Sequence, residues 1–188
     1  MPTREITMIG HKALRQRTKK VREVTPEIRQ LVADMIETNR AADGAGLAAT
    51  QVGSRWRLFV YSCTDGKGRL QEGHVINPVL EKGPTVALEE DMWEGCLSVP
   101  GEGFPTARAT WARVTGTDLD GNEVVVEDEG GTLARCLQHE VDHLDGKLYV
   151  DRLTPQYRRE AQDAVTARGW RAKGILSWDP VTTKAEDV

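Results

Sequence analysis

The sequence predicts an α+β domain in which antiparallel β-sheets pack around a central helix. A length of 188 residues suits one domain with a sizeable buried core. Segments rich in β-branched residues are joined by short turns, which favours antiparallel pairing. Helical patterns stand before and after these segments and do not alternate with them, so a doubly wound parallel sheet is not expected.

The first helix is predicted over residues 26–42. Thr25 is the expected N-cap, and Pro26 occupies the first helical position. The glycines at 44 and 46 end the helix. Apolar residues recur three, four, seven and eight positions apart, as on the buried face of a helix: Ile28, Leu31, Val32, Met35 and Ile36.

Strands are predicted over residues 55–62 and 74–80, on either side of a polar loop that contains glycine. A hairpin is expected from residues 111–119 and 122–127, because Asp120-Gly121 is a strong turn signal between segments with strand character. These segments would supply the antiparallel sheets.

Two further helices are predicted near the end of the chain. The second runs from Thr132 to Leu144 and is closed by Gly146, and the third runs from Pro155 to Arg168. We therefore expect one folded domain over residues 1–168. Residues 169–188 would form a C-terminal tail that contains tryptophan and glycine, and we expect its polar end to be mobile.

Composition narrows the class of protein. Hydrophobic residues make up 39% and charged residues 29%, as in ordinary globular proteins. The net charge of −4 argues against a protein that binds specific DNA, and no stretch is apolar enough to span a membrane. The three cysteines are a small and odd number, which does not suit a disulfide framework. We therefore expect free thiols and a cytoplasmic location.

The second predicted helix carries the strongest chemical signal, the H-E-x-x-H pattern from His139 to His143. Side chains four residues apart lie on one face of a helix, about 6 Å apart along it, so both imidazoles can bind one divalent metal ion. Glu140 lies on a neighbouring face, where it can reach a water at the metal. A helix with two surface histidines and a solvated glutamate is the ordinary alternative.

A catalytic metal of this kind needs a third protein ligand. Cys136 lies on the same face but about 7.5 Å along the axis from the expected metal position, so it fits better as a packing residue. A zinc metalloprotease would take a downstream ligand such as Glu160, since Tyr149 is a poor one. Cys96 is the upstream candidate, although a buried core cysteine is its ordinary interpretation.

Three motifs together resemble the peptide deformylase family. They are Gly44-Ala45-Gly46-Leu47-Ala48-Ala49-Thr50-Gln51, Glu94-Gly95-Cys96-Leu97-Ser98 and Gln138-His139-Glu140-Val141-Asp142-His143. Their order and spacing are similar to the family's, and the resemblance covers roughly residues 3–165. It implies a metal-dependent hydrolase that removes the N-formyl group from the formylmethionine of newly synthesised polypeptides and releases formate.

The resemblance also implies roles for individual residues. The metal, commonly Fe(II) with zinc, nickel or cobalt as alternatives, would be bound by Cys96, His139 and His143. Glu140 would be the general acid and base, with Gln51 and the backbone N–H of Leu97 as oxyanion donors. The backbones of Gly46 and Gly95 would bind the substrate. Thr132 and Arg135 stand where the family often has apolar residues of the methionine pocket.

Two further expectations concern charged residues. Asp142 should support the metal site from outside it, with Arg108 as its partner. From Arg152 to Lys173 basic residues outnumber acidic ones. A basic surface attracts the phosphates of ribosomal RNA, so contact with the ribosome is one hypothesis. A solvated helix face is the interpretation that we favour. A non-catalytic metal-binding module associated with the ribosome is the alternative outside the enzymes. The location is expected to be cytoplasmic, with an organellar setting left open.

Overall fold

The computed structural model describes residues 2–89 and 91–188, except for the side chain of Arg171, which lies outside the described part. The strands and helices follow one another as β1 Ile6–Thr7, α1 Pro26–Ala41, β2 Gly46–Ala48, β3 Leu58–Thr64, β4 Leu70–Lys82, β5 Trp93–Cys96, β6 Val99–Pro105, β7 Trp111–Thr117, β8 Glu123–Glu129, α2 Thr132–Leu144, α3 Pro155–Arg168, α4 Trp170–Lys173 and β9 Ser177–Trp178. Short 3₁₀ turns occupy Lys12–Arg15, Ala49–Val52, Tyr149–Asp151 and Ala185–Asp187.

The main sheet has five strands in the order β2-β3-β4-β7-β8, and every pair is antiparallel. Strand β2 lies at one edge, so one side of its backbone is free of strand neighbours within this sheet. Two smaller antiparallel pairs, β1-β9 and β5-β6, complete the strands of the described residues. The predicted α+β class with antiparallel sheets is confirmed.

Helix α2 is the centre of the domain. Eleven of its thirteen residues are buried, which is far more than a surface helix buries. Its apolar side, with Leu133, Leu137 and Val141, packs on Phe59, Val75 and Val114 of the main sheet. The polar side chains of α2 therefore lie on its other side, and they too are covered by protein.

The bounds of the helices agree closely with the sequence prediction. Helices α2 and α3 begin and end at the predicted residues. Thr25 occupies the N-cap position of α1, but its side chain makes no capping hydrogen bond. The turn at Asp120-Gly121 is confirmed, with Gly121 at φ +84° and Asp118 accepting from the backbone N–H of Asn122.

Part of the C-terminal segment after residue 168 packs on the rest of the domain. Strand β9 pairs with β1, and Trp170 and Trp178 are buried at 1% and 6% exposure. The indole Nε1 of Trp178 donates to the backbone oxygen of Leu97 at 2.9 Å. The end of the chain thus belongs to the packed domain and supports the loop that follows β5.

No helix among residues 2–89 and 91–188 is both long and apolar enough to cross a membrane.

Candidate active site

Helix α2 and strand β5 bring together three side chains that can bind a metal ion. The Nε2 atoms of His139 and His143 are 3.1 Å apart, and Sγ of Cys96 lies 3.2 Å from Nε2 of His143. All three ligand atoms lie within 4.8 Å of one another. The pairing of β5 with β6 shifts register between Gly95 and Cys96, and Cys96 is thereby the last residue of β5 before a tight turn.

The donor set fits a divalent transition-metal ion. Two imidazole nitrogens and a thiol sulfur converge on one point, which matches the ligands that iron, zinc and nickel accept. Burial lowers the pKa of His143, and the neighbouring His139 lowers it further, so His143 stays neutral as a ligand must be. Burial also acts to lower the pKa of His139, but Cys96 and Glu94 outweigh burial and raise it.

Glu94 orients one of the two histidines. Its Oε1 accepts a hydrogen bond from Nδ1 of His139 at 2.7 Å, which leaves Nε2 of that ring pointing to the metal-binding point. Burial acts to raise the pKa of Glu94, but Arg108 and His139 outweigh burial and lower it. Sequence reasoning assigned Glu94 no role, although its position two residues before Cys96 places both side chains on one face of β5.

A buried network of charges supports this arrangement. Arg108 contacts Glu94 at 2.5 and 2.9 Å and Asp142 at 2.5 Å, and only 3% of its side chain is exposed. The expected partnership of Asp142 with Arg108 is confirmed. Arg152 also binds Asp142, a contact that the sequence did not indicate. Buried charges of opposite sign compensate one another here, so removing one partner would leave the others unpaired.

Glu140 lies beside the metal-binding point and is almost completely buried, at 2% exposure. Burial raises its pKa to about 7, so it can change protonation state near neutral pH. Its Oε2 has no hydrogen-bond partner among the described residues. A buried carboxylate with a free oxygen next to a metal site is suited to handling a proton.

Gly46 lets the backbone approach this carboxylate. A Cβ at position 46 would lie 2.6 Å from Oε1 of Glu140 and 2.7 Å from Sγ of Cys136, closer than real contacts allow. Sγ of Cys136 also lies 3.3 Å from the backbone oxygen of Ala45. Cys136 thus packs against the β2 edge and lies outside the group of three ligand atoms.

The loop before β2 is fixed from behind by Asn39. Its Nδ2 donates to the backbone oxygen of Gly44 at 2.8 Å, and its own backbone oxygen accepts from the N–H of Gly44 at 2.9 Å. A Cβ on Gly44 would lie 2.3 Å from Oδ1 of Asn39 and 2.9 Å from Cδ1 of Leu97. Gly44 therefore packs between Asn39 of α1 and the side chain of Leu97, a contact that sequence reasoning missed.

Gln51 faces the same place from the 3₁₀ turn. Its Oε1 accepts from the backbone N–H of Ala48 at 2.8 Å, which fixes the orientation of the amide. Its Nε2 lies 3.3 Å from Oγ of Ser98 and 3.8 Å from Sγ of Cys96. The amide nitrogen of Gln51 and the backbone of Leu97 therefore both lie next to Cys96.

A cavity of about 540 Å³ joins these parts. Gly46 and Gly95 line it together with Cys96, His139 and Glu140. The other predicted site residues that line it are Gln51, Leu97, Thr132 and Arg135. All the residues that the sequence assigned to catalysis, substrate binding or metal binding therefore line one space, except His143, which is fully buried in contact with His139 and Cys96.

Arg135 lines this cavity, and its guanidinium is held by hydrogen bonds to three neighbouring residues. Its Nη2 donates to the backbone oxygens of Thr106 and Met92 at 2.9 and 3.2 Å and to Glu94 at 3.2 Å. The guanidinium is thus held by protein acceptors, and its carbon stem is left to line the space.

The two downstream residues considered as a third ligand are not among the converging ligand atoms. Glu160 stands on the exposed face of α3, where Gln156 donates to its carboxylate at 3.0 Å. Tyr149 is buried, and its ring stacks on that of His139 with centroids 6.3 Å apart while its hydroxyl donates to the backbone oxygen of Glu102. Tyr149 therefore packs beside one histidine and is not among the ligand atoms.

Comparisons with known proteins agree on one family. The family model described as Polypeptide deformylase matches residues 3–159. "Peptide deformylase 2" of Corynebacterium efficiens is 47% identical over 187 residues, covering 96% of this chain and 94% of that protein. Peptide deformylase of Rhodococcus opacus is 50% identical over 186 residues, covering 95% and 94%.

Solved structures give the same result. The crystal structure of peptide deformylase from Thermus thermophilus superposes with a TM-score of 0.75 at 37% identity, covering 92% of this chain and 98% of that one. The structure of the Ehrlichia chaffeensis enzyme in complex with actinonin gives 0.76 at 36% identity, covering 89% and 98%.

Proposed function

Because the chain belongs to the polypeptide deformylase family, we propose which of its residues carry out that family's reaction. The protein is a metal-dependent hydrolase that removes the N-formyl group from newly synthesised polypeptides. The observation that carries the assignment of roles is the convergence of Cys96, His139 and His143 beside the buried carboxylate of Glu140.

The three converging side chains are proposed as the metal ligands, with Fe(II) as the ion. A thiolate makes the set softer than an all-histidine site, which suits ferrous iron and also permits zinc, nickel or cobalt. An ion bound there would polarise the formyl carbonyl and lower the pKa of the attacking water. The closed charge network around Glu94 supports this assignment, because outer carboxylates commonly orient ligating histidines.

Glu140 is proposed as the general base and then the general acid. Its carboxylate accepts a proton as the water oxygen attacks the formyl carbon, and it returns that proton to the amine nitrogen as the C–N bond breaks. Formate and a free α-amino group result. The raised pKa of Glu140, about 7, supports both halves of this role near neutral pH.

Gln51 and the backbone N–H of Leu97 are proposed to stabilise the oxyanion of the tetrahedral intermediate. Nε2 of Gln51 is held in place by the bond from Ala48 to the other end of the amide, so the donor needs no reorganisation during the reaction. The backbones of Gly46 and Gly95 are proposed to bind the peptide as it lies between β2 and β5.

Formate release from formyl-Met-Ala-Ser by anaerobically purified protein tests the assignment. Acetyl-Met-Ala-Ser is the matched control, since a formyl carbon carries only hydrogen and a tight cavity excludes the extra methyl group. Release of formate but no acetate supports the assignment. Comparable release of both would contradict the proposed geometry.

Metal content of two variants tests the ligands. We expect Cys96→Ser to lose most of the bound metal, whereas Glu160→Gln keeps it, because Glu160 is bonded on the exposed face of α3. The reverse result would favour a metalloprotease-like site.

The identity of the ion is tested by stability in air. Activity of the Fe(II) form should decay in air faster than that of a nickel form, because ferrous iron and its thiolate are both oxidised. Equal lifetimes would count against iron.

The cytoplasm is proposed as the place of action. Cys63, Cys96 and Cys136 are free cysteines, and a thiolate ligand persists best in a reducing compartment. The bacterial origin of the relatives supports a bacterial cytoplasm over an organelle. Formyl-methionyl nascent chains, the substrates of this family, are made there.

Contact with ribosomal RNA is a second proposal, restricted to the exposed side of α3. Arg152 and Arg168 are paired with Asp142 and Glu102. Arg158 and Arg159 are exposed, and Arg158 donates only to the backbone oxygens of Asp151 and Leu153, so both cations can meet phosphates. The double variant Arg158→Glu, Arg159→Glu should lose salt-dependent co-sedimentation with ribosomes, while Arg55→Glu, Lys67→Glu should not. Equal binding of both variants would refute it.

A further inference from the structure

Trp93 is a large apolar side chain exposed at the mouth of the catalytic cavity. It lines that cavity, yet 64% of its surface is exposed, far more than the indoles of Trp170 and Trp178 that build the core. Its indole N–H makes no hydrogen bond within residues 2–89 and 91–188. Exposed apolar surface that borders a binding site usually takes part in binding.

The surface beside Trp93 is open because it is built from glycine. Alternate residues of a strand share a face, so Trp93 and Gly95 lie on the outer face of β5 while Glu94 and Cys96 face inward. Gly95 pairs with Gly103 of β6, and a Cβ on Gly95 would meet only the backbone oxygen of Glu102, 3.6 Å away. The indole lies 3.5 Å from the position of a Cβ on Gly103.

We call Trp93, Gly95 and Gly103 the indole shelf. It is a flat floor of glycine backbone with one aromatic wall, and it continues directly into the cavity that holds Cys96. The floor offers no side chain of its own, and the wall offers an aromatic face. Such a surface suits an apolar or aromatic side chain of a bound molecule.

Distance along the strand identifies which part of a substrate reaches the shelf. Trp93 lies three residues before Cys96, which is about 10 Å of extended chain. A formyl carbon held beside Cys96 therefore places the second or third residue of an extended peptide level with the indole.

We propose that the indole shelf selects formyl peptides with an apolar or aromatic side chain at the second or third residue. The inference rests on the substrate path proposed above between Gly46 and Gly95. Trp93 contacts the side chain of the peptide and takes no part in the chemical step. Its contribution therefore appears in KM, with kcat nearly unchanged.

The test compares kcat/KM for formyl-Met-Ala-Ser, formyl-Met-Phe-Ser and formyl-Met-Ala-Phe in wild type, Trp93→Ala, Trp93→Phe and Trp56→Ala. Trp56 is the matched control, an indole 40% exposed and outside the cavity. Wild type should prefer at least one Phe peptide by about fivefold to tenfold, the range expected of one aromatic contact. If formyl-Met-Phe-Ser is preferred, the second residue occupies the shelf, and if formyl-Met-Ala-Phe is preferred, the third residue does.

In Trp93→Ala the preference should fall to within twofold, and Trp93→Phe should retain part of it, while Trp56→Ala should keep the wild-type preference. An unchanged preference in Trp93→Ala, or an equal loss for all peptides, would overturn the inference. Calorimetric binding of the product peptides Met-Ala-Phe, Met-Phe-Ser and Met-Ala-Ser reads the same preference without turnover. If wild type releases no formate, the proposed roles fail, while the binding series still decides on the shelf.

Discussion

The two walls of the catalytic cavity are built from opposite kinds of residue. The metal wall consists of Glu94 and Cys96 on β5 with His139 and Glu140 on α2, and His143 is buried in contact with Cys96 and His139. Buried side chains that carry charge fix this wall. The bond between Glu94 and His139 holds that imidazole in one orientation, and the ion pairs of Arg108 fix Glu94 and Asp142.

The substrate wall consists of the Gly44–Gly46 backbone, with Asn39 behind it. Space for this backbone exists only because two glycines lack a Cβ, and its position depends on a few neutral hydrogen bonds. Buried ion pairs fix geometry more than they stabilise the fold, whereas neutral bonds contribute about 1 kcal/mol each. Damage to the metal wall should therefore remove chemistry, and damage to the substrate wall should weaken binding.

The sharpest test of the metal wall is Glu140→Gln. The amide keeps the shape of the side chain but cannot take up a proton, so turnover should fall about 10²–10⁴-fold while the metal stays bound. Formate release and metal analysis of the same preparation measure both effects. Glu160→Gln is the matched control, because its carboxylate lies on the exposed face of α3. Near-normal kcat in Glu140→Gln would remove this residue from the mechanism.

Glu94→Gln tests metal affinity separately from the proton transfer proposed for Glu140. Losing the anion beside His139 and Arg108 should weaken metal affinity about 10–100-fold, as measured by competition with a chelator. Glu102→Gln changes a second carboxylate that lines the same cavity and should leave affinity unchanged. If Glu94→Gln binds metal as tightly as wild type, the network serves folding and does not tune the site.

Sequence reasoning predicted the metal wall better than the rest of the molecule. The H-E-x-x-H pattern is local, so helical geometry alone places His139 and His143 on one face. The bond between Glu94 and His139 joins residues 45 positions apart, and no spacing in the sequence indicates such a pair. The Asp142–Arg108 pair joins residues 34 positions apart, and it was predicted because the family resemblance supplied a candidate partner.

The end of the chain shows where periodicity fails. Strands β1 and β9 have two residues each, too few for an alternating pattern to be seen. Polar composition suggested mobility, yet Trp170 and Trp178 bury their rings in the second cluster of core residues. Two tryptophans in a short terminal segment are the signal that indicates packing, because each buries a large apolar surface.

Gly46→Ala breaks the substrate wall where it meets the metal wall. The new methyl group would overlap Glu140 and Cys136, and overpacking of this kind costs about 1–3 kcal/mol. We expect kcat/KM to fall about tenfold with metal content unchanged. Gly83→Ala is the control, since a Cβ there meets nothing within 4 Å. Equal activity of both variants would mean that the close approach at Gly46 is not needed.

Asn39→Leu should have the smallest effect, confined to substrate binding. Leucine fills the same space but cannot donate to the backbone oxygen of Gly44, so the loop before β2 loses one of its two bonds to α1. It also removes Oδ1, which is buried without a partner, so the free energy of unfolding should change little.

With the loop less fixed, KM should rise about threefold to tenfold, the equivalent of one neutral hydrogen bond, while kcat stays within twofold. Asn39→Asp keeps the shape of the side chain but turns an oxygen towards the Gly44 carbonyl, so its KM should rise further. Steady-state kinetics and thermal unfolding of both variants check this. If Asn39→Leu lowered kcat and stability together at constant KM, Asn39 would act on the fold as a whole and not on the substrate wall.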